Sequence, residues 1–80
     1  MDETLRIDAR GMRCPRPVVE LAKASRRVSP GTVIEIVADD LAFESDVQAW
    51  CAMTGQTLLG LTRQGDEVTA TLRVDSPSHP

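Results

Sequence analysis

Aromatic residues are nearly absent. Phe43 and Trp50 are the whole complement in 80 residues, and there is no tyrosine. A stacking platform for single-stranded nucleic acid needs several exposed rings, so the composition argues against one. Histidine is as scarce: His79, one residue from the end, is the only one. Too few ligands of the right type remain for a zinc site, and a Cys-His couple built on the tail lacks a rigid base. The two cysteines, Cys14 and Cys51, form no CxxC pair. There is no glycine-rich phosphate loop and no run of the ~18 apolar residues that a membrane span requires. Met1-Asp2-Glu3 opens the chain with acid and no apolar segment follows, so no signal peptide is expected. A net charge of −3 gives no overall field for phosphate backbones. The expectation is a protein with no bound cofactor or metal, no membrane contact and no direct nucleic-acid partner. The default compartment is a reducing cytoplasm, with both thiols free.

Hydrophobic residues make up 41% of the chain and charged residues 26%, a composition that folds rather than stays disordered. The length allows one domain, with its core over about 4–74 and a loose tail over 75–80. Residues 4–9 alternate, so Leu5, Ile7 and Ala9 face a core. A turn through Gly11 leads to Pro15 and Pro17, which open a helix where missing N–H groups cost nothing. Val18, Leu21, Ala22, Ser25 and Val28 form its apolar stripe, and Ser29-Pro30-Gly31 ends it. Residues 32–38 are dense in β-branched side chains and read as a strand. A second helix follows, capped either by Asp40 or, after an irregular turn, by Ser45 or Asp46. Its apolar face is Phe43, Val47, Trp50, Cys51 and Thr54, and Gly55 suits its left-handed terminus. Residues 56–63 and 67–74 form a hairpin around Gln64-Gly65-Asp66. The order βαβαββ predicts an α/β (α+β) two-layer sandwich. A mixed four-stranded sheet carries both helices on one face, its first two strands parallel through a right-handed crossover.

The unusual segment is residues 10–17. Cys14 stands just before a helix N-terminus, where free N–H groups and the helix dipole favour a thiolate. Arg13 and Arg16 flank it and push the same way, and Arg10 lies one turn back. The N–H groups of Arg16, Val18 and Cys14 itself are the candidate donors, since Pro15 has none. Gly11 is a candidate for positive φ in the turn. The alternative is that Cys14 is a small buried hydrophobe, but Arg13, Pro15 and Arg16 are poor core neighbours. Cys51 reads instead as packing on the inner face of the second helix, or else as a resolving thiol within ~7 Å of Cys14. Asp39, Asp40, Glu44 and Asp46 are either caps and first-turn complements to the dipole or, for Asp39, Asp40 and Asp46, a docking patch for a basic partner. Arg26 and Arg27 suit the end of the first helix.

Residues 8–17, an Asp with a Gly three positions on and then Cys14-Pro15-Arg16-Pro17 at a helix start, resemble the signature of the TusA (SirA-like) sulfur carriers. The likeness continues through Ala38-Asp39-Asp40, Asp46-Val47, Trp50-Cys51 and residues 55–59, and it covers residues 5–74. Leu41 stands where that family often has Pro, and Phe43 where a small polar residue is common, both expected on the surface or loop before the second helix. The resemblance implies the fold of the C-terminal domain of a translation initiation factor. It implies a cysteine persulfide on Cys14, with Gly11, Arg13, Pro15, Arg16 and Pro17 supporting it. The implied donors are a cysteine desulfurase or a rhodanese. The implied acceptors are DsrE-like relay proteins leading to tRNA 2-thiouridine, or proteins of cytoplasmic sulfur oxidation. The rival expectation is a non-catalytic regulatory or nucleic-acid-binding module on the same fold. A Cys14–Cys51 redox couple comes third.

Overall fold

The computed structural model describes residues 3–75; the expected loose tail beyond Asp75, and His79 in it, lie outside the described residues. Six elements follow in the expected order: β1 Thr4–Asp8, α1 Arg16–Ser25, β2 Val33–Ala38, α2 Phe43–Thr54, β3 Thr57–Gln64 and β4 Glu67–Arg73. The sheet order is β1-β2-β4-β3. β1 and β2 run parallel, and both β2–β4 and β3–β4 are antiparallel.

The alternation of the strands decides the layers. Ile34, Ile36 and Ala38 of β2 and Val68, Ala70 and Leu72 of β4 are buried, while the residues between them are half-buried. Each inward residue meets another across the ladder: Ile34 opposite Leu72, Ile36 opposite Ala70, Ala38 opposite Val68. Leu21 and Ala24 of α1 and Phe43, Val47, Trp50 and Cys51 of α2 complete one core with them, so both helices lie on this face. Ile7 and Ala9 join it as expected. Leu5, opposite Ile34 at the outer strand, keeps 36% of its surface exposed.

Three details depart from the pattern read in the sequence. First, α1 stops at Ser25, so Val28 packs on the core from beyond the helix, and Pro17 and Ala24 are buried though outside the expected stripe. Second, the register of β3 against β4 shifts between Leu58 and Gly60. Leu58 and Leu61 are three apart, an odd spacing that strict alternation would send to opposite faces. The bulge at Leu59 adds one residue, so both leucines pack on the core and Leu59 turns out to solvent. Third, Asp75 is anchored. Its N–H donates to Gln56 Oε1 at 2.9 Å, and its carboxylate pairs with Arg73 and accepts from Thr57. Asp75 is therefore tied to β4 and to the start of β3 rather than loose.

Candidate functional site

Cys14 lies in the connection between β1 and α1, and four contacts fix that connection. The Ala9 N–H donates to Val37 O at 2.8 Å, which carries the β1–β2 pairing one residue past the strand. Gly11 takes φ +83, the left-handed region that only glycine enters cheaply. That turn aims its N–H at Asp39 Oδ1, 2.9 Å away at the end of β2. Met12 donates to Ala9 O and packs its side chain on the core. Pro17, buried on the second residue of α1, fixes the far end. Between these anchors Arg13, Cys14, Pro15 and Arg16 are exposed. The structure thus keeps the exposed-cysteine reading of Cys14 and sets aside the buried one.

The electrostatics are the reverse of the sequence expectation. The Cys14 thiol donates a hydrogen bond to Asp46 Oδ2 at 3.0 Å. That bond, partial desolvation and the charges of Asp46 and Asp40 push the thiol above its ordinary range. Its hydrogen-bond partner is a carboxylate and not an arginine. The Arg16 N–H, expected to face the sulfur, donates to Arg13 O at 2.8 Å. Arg10 is taken up by Asp8 at 2.9 Å and by Glu67 at 3.5 Å, and in that grip Asp8 is held down to about 2 by its hydrogen bonds from Arg10. Adjacency in sequence placed cations beside the thiol; the fold brings a carboxylate from 32 residues away.

The acidic cluster separates into distinct roles. Asp39 accepts from the Gly11 N–H and holds the site loop. Asp40 accepts from the Ala42 N–H at 3.0 Å, and its carbonyl accepts from Phe43 N–H, which makes it the stabiliser of the α2 entry. The helix begins at Phe43, so capping by Ser45 or Asp46 does not occur. Glu44 pairs with Arg63 of β3. Asp46 alone of the four reaches Cys14.

An open groove of about 280 Å³ starts at the thiol, lined by Cys14, Pro15, Val18, Asp46, Ala49, Trp50 and Met53. It runs between the start of α1 and one edge of α2. The α2 members are spaced i, i+3, i+4 and i+7, a single helical stripe. That spacing was the sequence signal that ties Asp46 to Trp50 and Met53, and the single-face reading of α2 passed over it. Phe43 is 1% exposed and fills the core beneath the α2 entry, as its place on the apolar stripe of α2 predicts and against the surface or loop placement that the family resemblance gave it, whereas Leu41 is 97% exposed. Cys51 is buried, and burial pushes its thiol up. No group of three or more His, Cys, Asp or Glu side chains among the described residues could hold a metal.

A difference in reactivity follows from exposure. In the native protein iodoacetamide modifies Cys14 at least ~10-fold faster than Cys51, because the buried thiol reacts only after local opening. Mass spectrometry of the two cysteine peptides over time checks this; equal rates would reverse the assignment of the two thiols.

The family model described as Sulfurtransferase TusA matches residues 5–74. "Putative sulfur carrier protein YrkF" of Bacillus subtilis (strain 168) is 36% identical over 73 residues, 91% of this chain and 40% of that protein. A protein of the same designation from Aquifex aeolicus (strain VF5) is 31% identical over 78 residues, 98% of this chain and 39% of its own length. YrkI of Bacillus subtilis (strain 168), again so designated, is 37% identical over 60 residues, 75% of this chain and 80% of its own. The chain spans about 40% of the length of the first two relatives.

Proposed function

The chain belongs to the TusA sulfurtransferase family, and from that premise we propose that it carries sulfur as a persulfide on Cys14 between two partner proteins. The observation that carries this reading is the site loop: it holds one exposed thiol at its tip, beside a groove open to another molecule. A small, anchored, accessible thiol suits a relay in which two larger proteins must reach the same sulfur in turn.

The chemistry is two thiol exchanges. The Cys14 thiolate attacks the outer sulfur of a donor persulfide, R–S–SH. The donor S–S bond breaks, R–S⁻ leaves and takes up a proton, and Cys14–S–SH remains. An acceptor thiolate then attacks that outer sulfur and frees the Cys14 thiol. No net oxidation occurs in either step. The donor is a cysteine desulfurase or a rhodanese, and the acceptor a DsrE-like or other relay protein. The sulfur goes to tRNA 2-thiouridine or to sulfur oxidation, in the cytoplasm. No helix among the described residues is long and apolar enough to cross a membrane.

Intact mass after incubation with inorganic polysulfide tests the reading. A gain of one sulfur, reversed by a small thiol, supports a carrier. Loss of two hydrogens supports a Cys14–Cys51 disulfide, and an unchanged mass supports a non-catalytic module. The second cysteine separates structure from chemistry. Cys51→Ala loads sulfur as wild type does and loses on the order of 1 kcal/mol or more of stability through lost packing. Urea denaturation and intact mass check both halves. A folded Cys51→Ala protein that takes no sulfur would make Cys51 part of the transfer.

A further inference from the structure

We propose that Asp46 is the charge-selecting residue of this site. It holds the empty Cys14 thiol as a hydrogen-bond donor and favours sulfur exchange with a partner whose reacting sulfur is flanked by a cationic side chain. This deepens the sulfur-carrier reading and rests on it for the identity of the exchanged sulfur.

Arg6 pairs with Glu35, Arg10 with Asp8 and Glu67, Lys23 with Glu20, Arg63 with Glu44 and Arg73 with Asp75. Asp39 and Asp40 are occupied by backbone N–H groups. Among the described residues Asp46 forms no ion pair, and the thiol is the hydrogen-bond donor to its carboxylate. Asp46 is held in place: the neighbouring Val47 is fully buried, and the Asp46 N–H donates to Ala42 O at 2.9 Å. The carboxylate therefore sits at the rim of the groove, beside the reactive atom, with no cation paired to it among the described residues.

The chemistry follows. Ionising Cys14 in the free protein breaks its hydrogen bond and sets two negative charges about 3 Å apart, so the empty carrier rests as a thiol. The charged groups around it are Asp46 from α2, Asp40 from the turn before α2, and Arg13 and Arg16 from its own segment. Neither arginine forms an ion pair among the described residues. A partner's Lys or Arg that enters the groove pairs with Asp46, frees the thiol and favours its ionisation at the moment of contact. The proton passes to water, the thiolate attacks the partner's outer sulfur, and the partner's thiolate leaves with uptake of a proton. A partner with an acidic side chain beside its sulfur meets repulsion instead.

Small disulfides of different charge read this selectivity directly on the full chain. The probes are cystamine (cationic), bis(2-hydroxyethyl) disulfide (neutral) and 3,3′-dithiodipropionate (anionic). The rate of mixed-disulfide formation on Cys14 is measured for each by mass spectrometry at neutral pH and low salt. Each rate is divided by the rate with 2-mercaptoethanol to remove intrinsic leaving-group differences. The wild-type protein should prefer the cationic over the anionic probe by roughly ten-fold or more. Asp46→Asn should reduce that ratio several-fold, lower the thiol's titration midpoint and speed reaction with the neutral probe; Asp46→Glu should restore the preference. Wild-type rates without a cationic preference, or a ratio unchanged in folded Asp46→Asn, would overturn the proposal. An anionic preference would give the field to Arg13 and Arg16. Because the wild-type ratio alone can refute it, misfolding of a variant does not shelter the idea. Sulfur loading without selectivity removes this proposal and leaves the carrier; selectivity without sulfur loading does the reverse.

Discussion

Cys14→Ser will take up no sulfur and will keep the fold. A serine hydroxyl is not ionised at neutral pH, and oxygen does not attack a sulfane sulfur as a thiolate does, so the transfer loses the exposed one of the two thiols. The other cysteine is buried on the inner face of α2 and cannot substitute. The change costs little stability because position 14 is exposed and lies outside the buried core cluster. The new hydroxyl can still donate to Asp46, so the unfolding free energy stays within about 0.5 kcal/mol of wild type. Intact mass after polysulfide treatment and urea unfolding together check this. Sulfur gained by Cys14→Ser at the wild-type level would move the function to Cys51.

Phe43→Ala will damage the fold severely, at about 3–5 kcal/mol. Phe43 is 1% exposed and is the largest of the fully buried side chains. It is also the first residue of α2, three before Asp46. For a chain of 80 residues at typical per-residue stability the total is ~4–12 kcal/mol, so the loss removes about a quarter of it or more. Urea unfolding should show a much lower midpoint with an unchanged slope. Phe43→Leu should recover part of the loss by refilling the cavity. A cost below 1 kcal/mol would mean that the α2 entry closes over the void, and that Phe43 does not hold the helix that carries Asp46.

The sheet was readable because its residues obey period two: Ile34, Ile36, Ala38 and Val68, Ala70, Leu72 each mark an inner face. The hairpin turn was readable from Gly65, which sits at φ +62. The bulge at Leu59 was not, because a three-residue leucine spacing fits either a bulge or a strand that changes faces. At the site, Cys14 stood out by its neighbours, and its exposure followed. Its electrostatics did not follow. Arg13 and Arg16 adjoin the cysteine along the chain, but the turn that starts α1 consumes the Arg16 N–H on Arg13 O. The thiol's partner comes from another element. Charge proximity is a property of the fold, and one-dimensional spacing reports it only within an element. Asp39, Asp40 and Asp46 read as one acidic cluster for the same reason, although they serve a loop, a helix entry and a thiol.

The most direct measurement is where the sulfur goes. The wild-type protein is loaded with polysulfide, its persulfide is trapped by iodoacetamide, and the digested peptides are read by mass spectrometry. The account predicts the added sulfur on the peptide containing Cys14, with Cys51 recovered as an unmodified thiol until the protein is unfolded. Sulfur on the Cys51 peptide, or none on Cys14 while its thiol remains open to alkylation, would contradict it.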